Sequence, residues 1–449
     1  MRQAFCYRLL PDPASISVMD RWGELLRRQW NHSLGAWLDW ENSTRCYIGP
    51  PEARRCRIKT GRDYVEPIGA IPDLVDVYSL KRALVQSKEL FPEYRDIYSD
   101  ALQELIIRLG RSWKRWKTED KTGKRGGRPR FKKEGNLPSI TYARVNCAKA
   151  GAFLEQDESG WWLRCSRIGR LKVILHRSIP DGMVLKTVTL AKKADGWYAC
   201  FSCEDKSIPD PAPLPADQIR SSTGIDVGLE KFAALADGRL VHLPKAYASA
   251  QKRRTRIARQ VARKQKGSAN WQKAQQRLAR LELHVHRQRA ERHYQVAHSL
   301  CQEFDLVGVE KLNIRGLART KLGKSILDNS WGAFITKLQA VAVKRGKRVE
   351  VVSAYGSSQE CSGCGTIVKK DGLHVRWHLC PHCGCSLDRD VNAARVIHAR
   401  ARQAVGLPLA GCGGSGNSRP LPKGAPKGKQ QRSAVRQGSP RQSVSLAGE

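Results

Sequence analysis

The 449-residue sequence predicts a multidomain α+β chain. An N-terminal antiparallel β-barrel carries a helical insertion, and an α/β domain follows, interrupted by a small zinc-binding module. Three observations predict this. Alternating apolar runs, punctuated by Gly, Asp and Pro, crowd residues 139–205. Beyond a proline-rich stretch at 206–215, the pattern changes to a short strand meander and then to strands separated by helices. Within that second pattern stand two Cys-x-x-Cys knuckles, Cys361/Cys364 and Cys380/Cys383, with fifteen residues between them. Such spacing suits tetrahedral Zn²⁺ held by four thiolates on two tight turns.

The elements follow in order. Residues 4–9 read as a strand, ended by Pro11 and Pro13. From 15 to 40, Met19, Trp22, Leu25, Leu26, Trp30, Leu34 and Trp37 recur at helical spacing. Residues 41–75 are irregular and rich in Pro, Gly and Arg. Helical periodicity returns over 77–88 and 94–116, and a basic loop ends at Lys133. Strand runs at 161–165, 171–175, 184–190 and 196–203 make the barrel, into which 4–9 is expected to pair. A strand begins at Gly224-Ile-Asp226-Val-Gly228, and 232–235 with 240–243 continue the meander. A long basic helical pair fills 247–303 and breaks at Gly267-Ser268. Strand 306–311, helix 331–345, strand 349–354, the zinc module and helix 391–404 complete the order. The expected boundaries are 1–12 with 119–205 for the barrel, 13–118 for the helical insertion and 206–218 for a linker. Residues 219–358 with 386–405 form the second domain, 359–385 the zinc module, and 406–449 a basic tail expected to be disordered.

Charge bounds the partners. Lys and Arg outnumber Asp and Glu 80 to 42, a net charge of +38. That excess opposes compaction unless a polyanion is bound, and nucleic acid is the leading candidate. A membrane surface is disfavoured, because there is no apolar run near 18 residues and no basic amphipathic terminal helix. The opening residues lack the apolar core of a signal peptide, so a cytoplasmic location is expected. Of fourteen cysteines, the ten outside the knuckles are expected as buried thiols of a reducing compartment. Cys200 and Cys203 lie three apart on a strand and so face opposite ways, which argues against a shared metal.

Asp226, Glu310 and Asp390 are the candidate catalytic residues. Asp226 lies on the first strand of a strand–turn–strand, flanked by small residues, as ribonuclease-H-like folds begin. Glu310 ends the apolar run Val-Gly-Val-Glu310, and Asp390 opens the last helix. Each alone has a plainer reading: a turn carboxylate, an ion-pair partner of Lys311, a helix cap for Asp388 or Asp390. Together, on strand, strand and helix, they point to one surface where unpaired carboxylates would repel. Bound Mg²⁺ accounts for their coexistence. The expected chemistry is phosphodiester hydrolysis with two Mg²⁺ about 4 Å apart, leaving 5′-phosphate ends. The four thiolates close the zinc tetrahedron, so Zn²⁺ is expected to be structural, with His382 or Cys385 as alternative ligands.

These residues carry a family resemblance. Gly-Ile-Asp226-Val-Gly-Leu, Val-Gly-Val-Glu310-Lys-Leu-Asn-Ile-Arg-Gly-Leu, Ser357-Ser-Gln-Glu-Cys361-Ser-Gly-Cys364-Gly, and Cys380-Pro-His-Cys383-Gly through Asp388-Arg-Asp390-Val-Asn-Ala-Ala-Arg resemble TnpB, the RNA-guided DNA endonucleases of small insertion sequences, related to miniature type V CRISPR effectors. The likeness is strongest over 220–405. It implies a wedge barrel with a helical recognition insertion, and a RuvC nuclease domain interrupted by a zinc finger. It also implies a catalytic triad at Asp226, Glu310 and Asp390, with Asp388 a neighbour. The implied partners are a guide RNA and double-stranded target DNA beside a short flanking motif, bound by one or two copies of the chain. A miniature CRISPR effector, a guide-dependent DNA-binding regulator without cleavage, and a DNA transposase remain alternatives. Residues 252–292 carry 14 basic and two acidic side chains, suiting phosphate contacts. Residues 108–133 hold 12 basic residues with Trp113 and Trp116, candidates either for base stacking or for a core stripe. Arg27, Arg28, Gln29 and Asn31 are base-reading candidates by residue type alone.

Overall fold

The computed structural model describes residues 1–46, 75–120, 123–209, 212–369 and 375–408. The chain is of mixed α/β architecture, built around two main sheets. The first part opens with β1 (Arg2–Leu10), α1 (Pro13–Cys46), α2 (Val77–Leu90), a 3₁₀ turn (Pro92–Asp96) and α3 (Ser99–Lys117). Six strands follow: β2 (Ile140–Tyr142), β3 (Ala152–Asp157), β4 (Gly160–Cys165), β5 (Gly169–Ile174), β6 (Val184–Lys193) and β7 (Gly196–Glu204).

These seven strands form one antiparallel sheet in the order β2-β6-β7-β1-β5-β4-β3. β1, first in the chain, therefore lies between β5 and β7. The sheet curls until its edges meet at a single bridge, Val145 to Ala152. The Asn146 amide donates to the Ala152 carbonyl at 3.1 Å, and the Asn146 side-chain oxygen accepts the Leu154 amide at 2.7 Å. Alternation along β7 is unbroken: Trp197, Ala199, Phe201 and Cys203 point inward, while Cys200 points out.

The helices close over the sheet. Met19, Trp22, Leu26 and Leu34 of α1 and Leu102, Leu105, Ile106 and Leu109 of α3 are fully buried beside Tyr7, Leu9 and Phe201 of the strands. Helices and barrel share one core, so the helical part interrupts the barrel in sequence while completing it in space. α1 runs to Cys46, beyond the expected end near residue 40. The remainder of the irregular stretch, 47–74, lies outside the described residues, as do 210–211 of the linker and 409–449 of the tail. β2 and β3 were not among the strand runs singled out from sequence. β2 has three residues, and β3 ends in exposed polar side chains, so neither carries a strong alternation.

The second part begins with β8 (Ser222–Val227), β9 (Ala233–Leu235) and β10 (Leu240–Val241), joined antiparallel. Helices α4 (Ala246–Ala262) and α5 (Ala269–Glu303) then lead to β11 (Leu306–Glu310). Two short helices the periodicity did not reveal, α6 (Ile314–Leu317) and α7 (Gly323–Asn329), precede α8 (Trp331–Lys344) and β12 (Arg348–Val352). The sheet order is β10-β9-β8-β11-β12, with β8, β11 and β12 parallel. Its core holds Val307 and Val309 with Phe232, Phe334 and Leu338. A small hairpin, β13 (Trp377–Leu379) and β14 (Ser386–Asp388), delivers the chain into α9 (Arg389–Ala404). Among the described residues no helix is long and apolar enough to cross a membrane.

Candidate active site

Two glycines seat the last helix. Gly224 of β8 and Gly308 of β11 are direct partners in the parallel ladder. A Cβ on Gly224 would lie 2.2 Å from the Ala394 carbonyl oxygen and 2.4 Å from the His398 amide nitrogen. One on Gly308 would lie 2.6 Å from the Ala401 Cβ. Only hydrogen at both positions lets α9 lie this close to the sheet. Strand residues two apart share a face, so Asp226 and Glu310, each two residues past its glycine, face α9 too.

The helix supplies the third carboxylate by its own periodicity. Residues 390, 394 and 398 fall on one stripe. Four helical residues rise about 6 Å, close to the advance of two strand residues. With Ala394 and His398 over Gly224, Asp390 comes over Asp226. The stripe continues the other way, where the Ser222 hydroxyl lies 2.8 Å from His398 Nε2 and accepts Arg402 Nη1 at 3.0 Å.

The electrostatics follow from this crowding. Burial pushes the Asp226 carboxyl well above the usual carboxylate range, and the charges of Glu310, Asp390 and Asp388 push the same way, against Arg389. Burial also raises Glu310, opposed by a hydrogen bond from Ser357 and by the charge of Arg400. Asp388 behaves differently. Burial pushes it up, but Lys231 at 2.7 Å and the amides of Asp390 and Val391 outweigh that and leave it lowered. It caps α9 and pairs with Lys231, whereas Asp390 faces the other carboxylates. Arg389 Nε lies 3.5 Å and Arg376 Nη1 4.0 Å from Asp390.

An all-oxygen, mutually repelling donor set is what a hard divalent cation selects, so these residues fit Mg²⁺. The three carboxylates do not form a group whose ligand atoms all lie within 4.8 Å; among the described residues only the four knuckle cysteines do.

Cys361, Cys364, Cys380 and Cys383 form a zinc-finger-like cluster. Sγ separations of 3.6 Å (Cys361–Cys383) and 3.5 Å (Cys364–Cys380) approach the edge, about 3.8 Å, of a tetrahedron with zinc–sulfur bonds of about 2.3 Å. Each knuckle ends at a glycine in the left-handed region, Gly365 at φ 74° and Gly384 at φ 70°, whose amide returns to the first cysteine's carbonyl. The second knuckle is the tip of the β13–β14 hairpin, whose base is the start of α9. Neither His382 nor Cys385 belongs to the cluster.

Several expected nucleic-acid contacts prove to be internal. Trp113 stacks on Trp37 with centroids 4.6 Å apart and is buried, so it belongs to the core; Trp116 packs on its edge. Gln29 is buried against Ser33, Arg27 pairs with Glu24 and the Lys132 carbonyl, and Asn31 binds the Lys132 backbone at both its amide and carbonyl. Arg27 and Asn31 pin the basic loop to α1, and of the four only Arg28 stays substantially exposed. On α4 and α5 most of the basic side chains are exposed, but Arg254, Arg287 and Arg289 are engaged by Glu282, Asp195 and Asp328. Arg287 thereby ties α5 to the β6–β7 hairpin.

Three family models match the chain. The IS605 OrfB model, described as "Probable transposase", matches residues 202–321; "Cas12f1-like, TNB domain" matches 331–397; and an IS605 OrfB "Helix-turn-helix domain" matches 1–45. Over 1–45 the chain forms one strand and one long helix. A protein of Streptomyces pristinaespiralis named "Putative RNA-guided DNA endonuclease" is 28% identical over 92% of this chain and 91% of its own length. InsQ of Escherichia coli K12, named in the same way, is 28% identical over 68% of this chain and 75% of its own. A cryo-EM structure of a Cas12f1–sgRNA–target DNA complex overlaps with a TM-score of 0.49 at 12% identity, covering 89% of this chain and 98% of that one.

Proposed function

The chain belongs to the TnpB/IS605 family, and on that premise we propose that it is an RNA-guided DNA endonuclease of a transposon. Full-length relatives bearing that activity in their names support the reading. What carries the nuclease assignment is the seating of α9 on Gly224 and Gly308, which turns Asp226, Glu310 and Asp390 toward one another. The sheet order, an antiparallel meander continued by two parallel strands with a helix across it, supports a RuvC, ribonuclease-H-like domain.

In this reading Asp226 and Glu310, at the ends of adjacent parallel strands, and Asp390, in the first turn of α9, would hold two Mg²⁺, which when bound would supply Lewis-acid activation of the attacking water and charge stabilisation for the departing 3′ oxygen. The protein contributes fixed geometry. Asp388 caps α9 and pairs with Lys231, and the four-cysteine module, taken as a structural zinc site, fixes where that helix starts. Exposed Lys and Arg along α4 and α5 supply charge for the phosphates of a guide RNA and its DNA heteroduplex, while base pairing reads the target.

The test is direct. Purified protein should carry a structured RNA whose sequence maps to a transposon end; a repeat-derived guide would instead mark a CRISPR effector. With that RNA, Mg²⁺-dependent DNA cleavage should fall by on the order of a thousandfold or more in Asp226→Ala, Glu310→Ala and Asp390→Ala, with RNA binding retained. Undiminished cutting by Asp390→Ala would remove it from the triad.

A further inference from the structure

Ser357 stands four residues before Cys361 and is only 5% exposed. Its hydroxyl lies within hydrogen-bonding reach of two acceptors, Glu310 Oε1 and the Ala354 carbonyl at 3.2 Å. A hydroxyl has one proton to give, and a carboxylate is the stronger acceptor, so the bond to Glu310 prevails when that group is ionised.

The segment bearing Ser357 is gripped along its length. Arg400 of α9 donates to the Ser353 carbonyl at 2.7 Å and pairs with the Glu360 carboxylate at 2.6 Å. Asn392, fully buried and two residues past Asp390, donates to the Glu360 carbonyl at 2.7 Å and accepts the Ser362 amide at 2.9 Å. Residues 353–362 thus form a strap running from the end of β12, past Glu310, along α9 and into the cysteine cluster. Asn392 holds its far end from α9, and the cysteine cluster, where Cys361 lies 3.6 Å from Cys383 and Cys364 3.5 Å from Cys380, closes just beyond it.

We propose that Ser357 is a positioning residue for Glu310, held at its depth by a strap whose far end is the closed cysteine cluster. In this role Ser357 acts through Glu310: it selects one orientation of a carboxylate that would otherwise rotate. Groups that orient metal ligands typically change metal affinity by about 10–100-fold when removed. The inference rests on the proposed reading of the carboxylate site, so its test separates the two.

The probe is Fe²⁺ in place of Mg²⁺, in full-length protein with its RNA and zinc. With ascorbate and peroxide, bound iron cuts the backbone beside it, and mass spectrometry reports scission near residues 226 and 310. Ser357→Ala should raise the half-maximal Fe²⁺ concentration about tenfold. Zinc content should stay at the wild-type level and KM for DNA unchanged, while kcat falls. Ser357→Thr, which restores the hydroxyl, should bring both values back. A wild-type Fe²⁺ response in Ser357→Ala overturns the proposal, as does loss of zinc in that variant or failure of Thr to restore the response. Glu310→Gln separates the levels: if it too responds as wild type, the carboxylate-site reading fails; if it loses the response while Ser357→Ala keeps it, only the positioning role fails.

Discussion

His293 lies between the rings of Phe232 and Phe334, with centroids 5.5 and 5.6 Å away, and its Nε2 hydrogen-bonds the Asn329 carbonyl at 3.1 Å. Burial, with the charges of Lys337 and Arg289, lowers its pKa from 6.5 to about 4. The unfolded chain therefore binds more protons between those values, and stability falls as pH drops through that window. The loss is at most about 1.4 kcal/mol per pH unit. Melts at pH 7 and pH 5 check this: His293→Gln should narrow the gap between the two Tm values, and an unchanged gap refutes it. At the candidate site the same burial acts on carboxylates. Asp226 and Glu310 are raised because their charges lack water, and Asp388 escapes because Lys231 and two amides compensate it. Residue types alone distinguished Asp388 from Asp390 only through the family resemblance; the cap hydrogen bonds supply the physical reason.

Among the elements, α9 has the most to lose from small changes. Gly224→Ala drives a methyl into the backbone of Ala394 and His398, which cannot yield as a side-chain tip would. Overpacking of this kind costs about 1–3 kcal/mol or more. We expect a Tm drop of several degrees and loss of cleavage, because the same displacement carries Asp390 away from Asp226. Gly308→Ala should behave alike; full activity in both would show that the helix has slack. The β13–β14 hairpin sets the other end of this geometry. Cys361→Ser or Cys383→Ser should release zinc, and hydrogen exchange should then rise over 377–392 while the barrel strands stay protected. Full metal content in both variants would place the ligands elsewhere. The matching pairs Gly224-x-Asp226 and Gly308-x-Glu310 were readable in the sequence, but their meaning was not. Each glycine is explained by a helix more than 80 residues further along the chain.

For the whole molecule, charge is the dominant fact. A net charge of +38 on 449 residues implies a polyanionic partner, and much of it is displayed on α4 and α5. Lys252, Arg253, Arg256 and Arg263 are all exposed and form no ion pair among the described residues. Changing these four to Gln should weaken RNA binding and make it less salt-sensitive. If all four touch phosphates, the slope of log K against log salt should shrink by about 3–4. An unchanged slope would move the RNA to another face. Arg287 is a poor choice for this test, since its bonds to Asp195 and Tyr198 join α5 to the barrel and its loss would alter that junction.

Much of this protein was legible as periodicity and spacing. The barrel strands with strong alternation, the long helices and each Cys-x-x-Cys knuckle depend on residues close in sequence, whose local geometry fixes where side chains point. Convergence was decided only in three dimensions. Trp113 became core because Trp37 meets it, and Asn31 became a clamp because Lys132 passes by. Ser357 reached Glu310 because β12 lies beside β11. No local pattern encodes such meetings; they depend on which distant surfaces the packed core brings together.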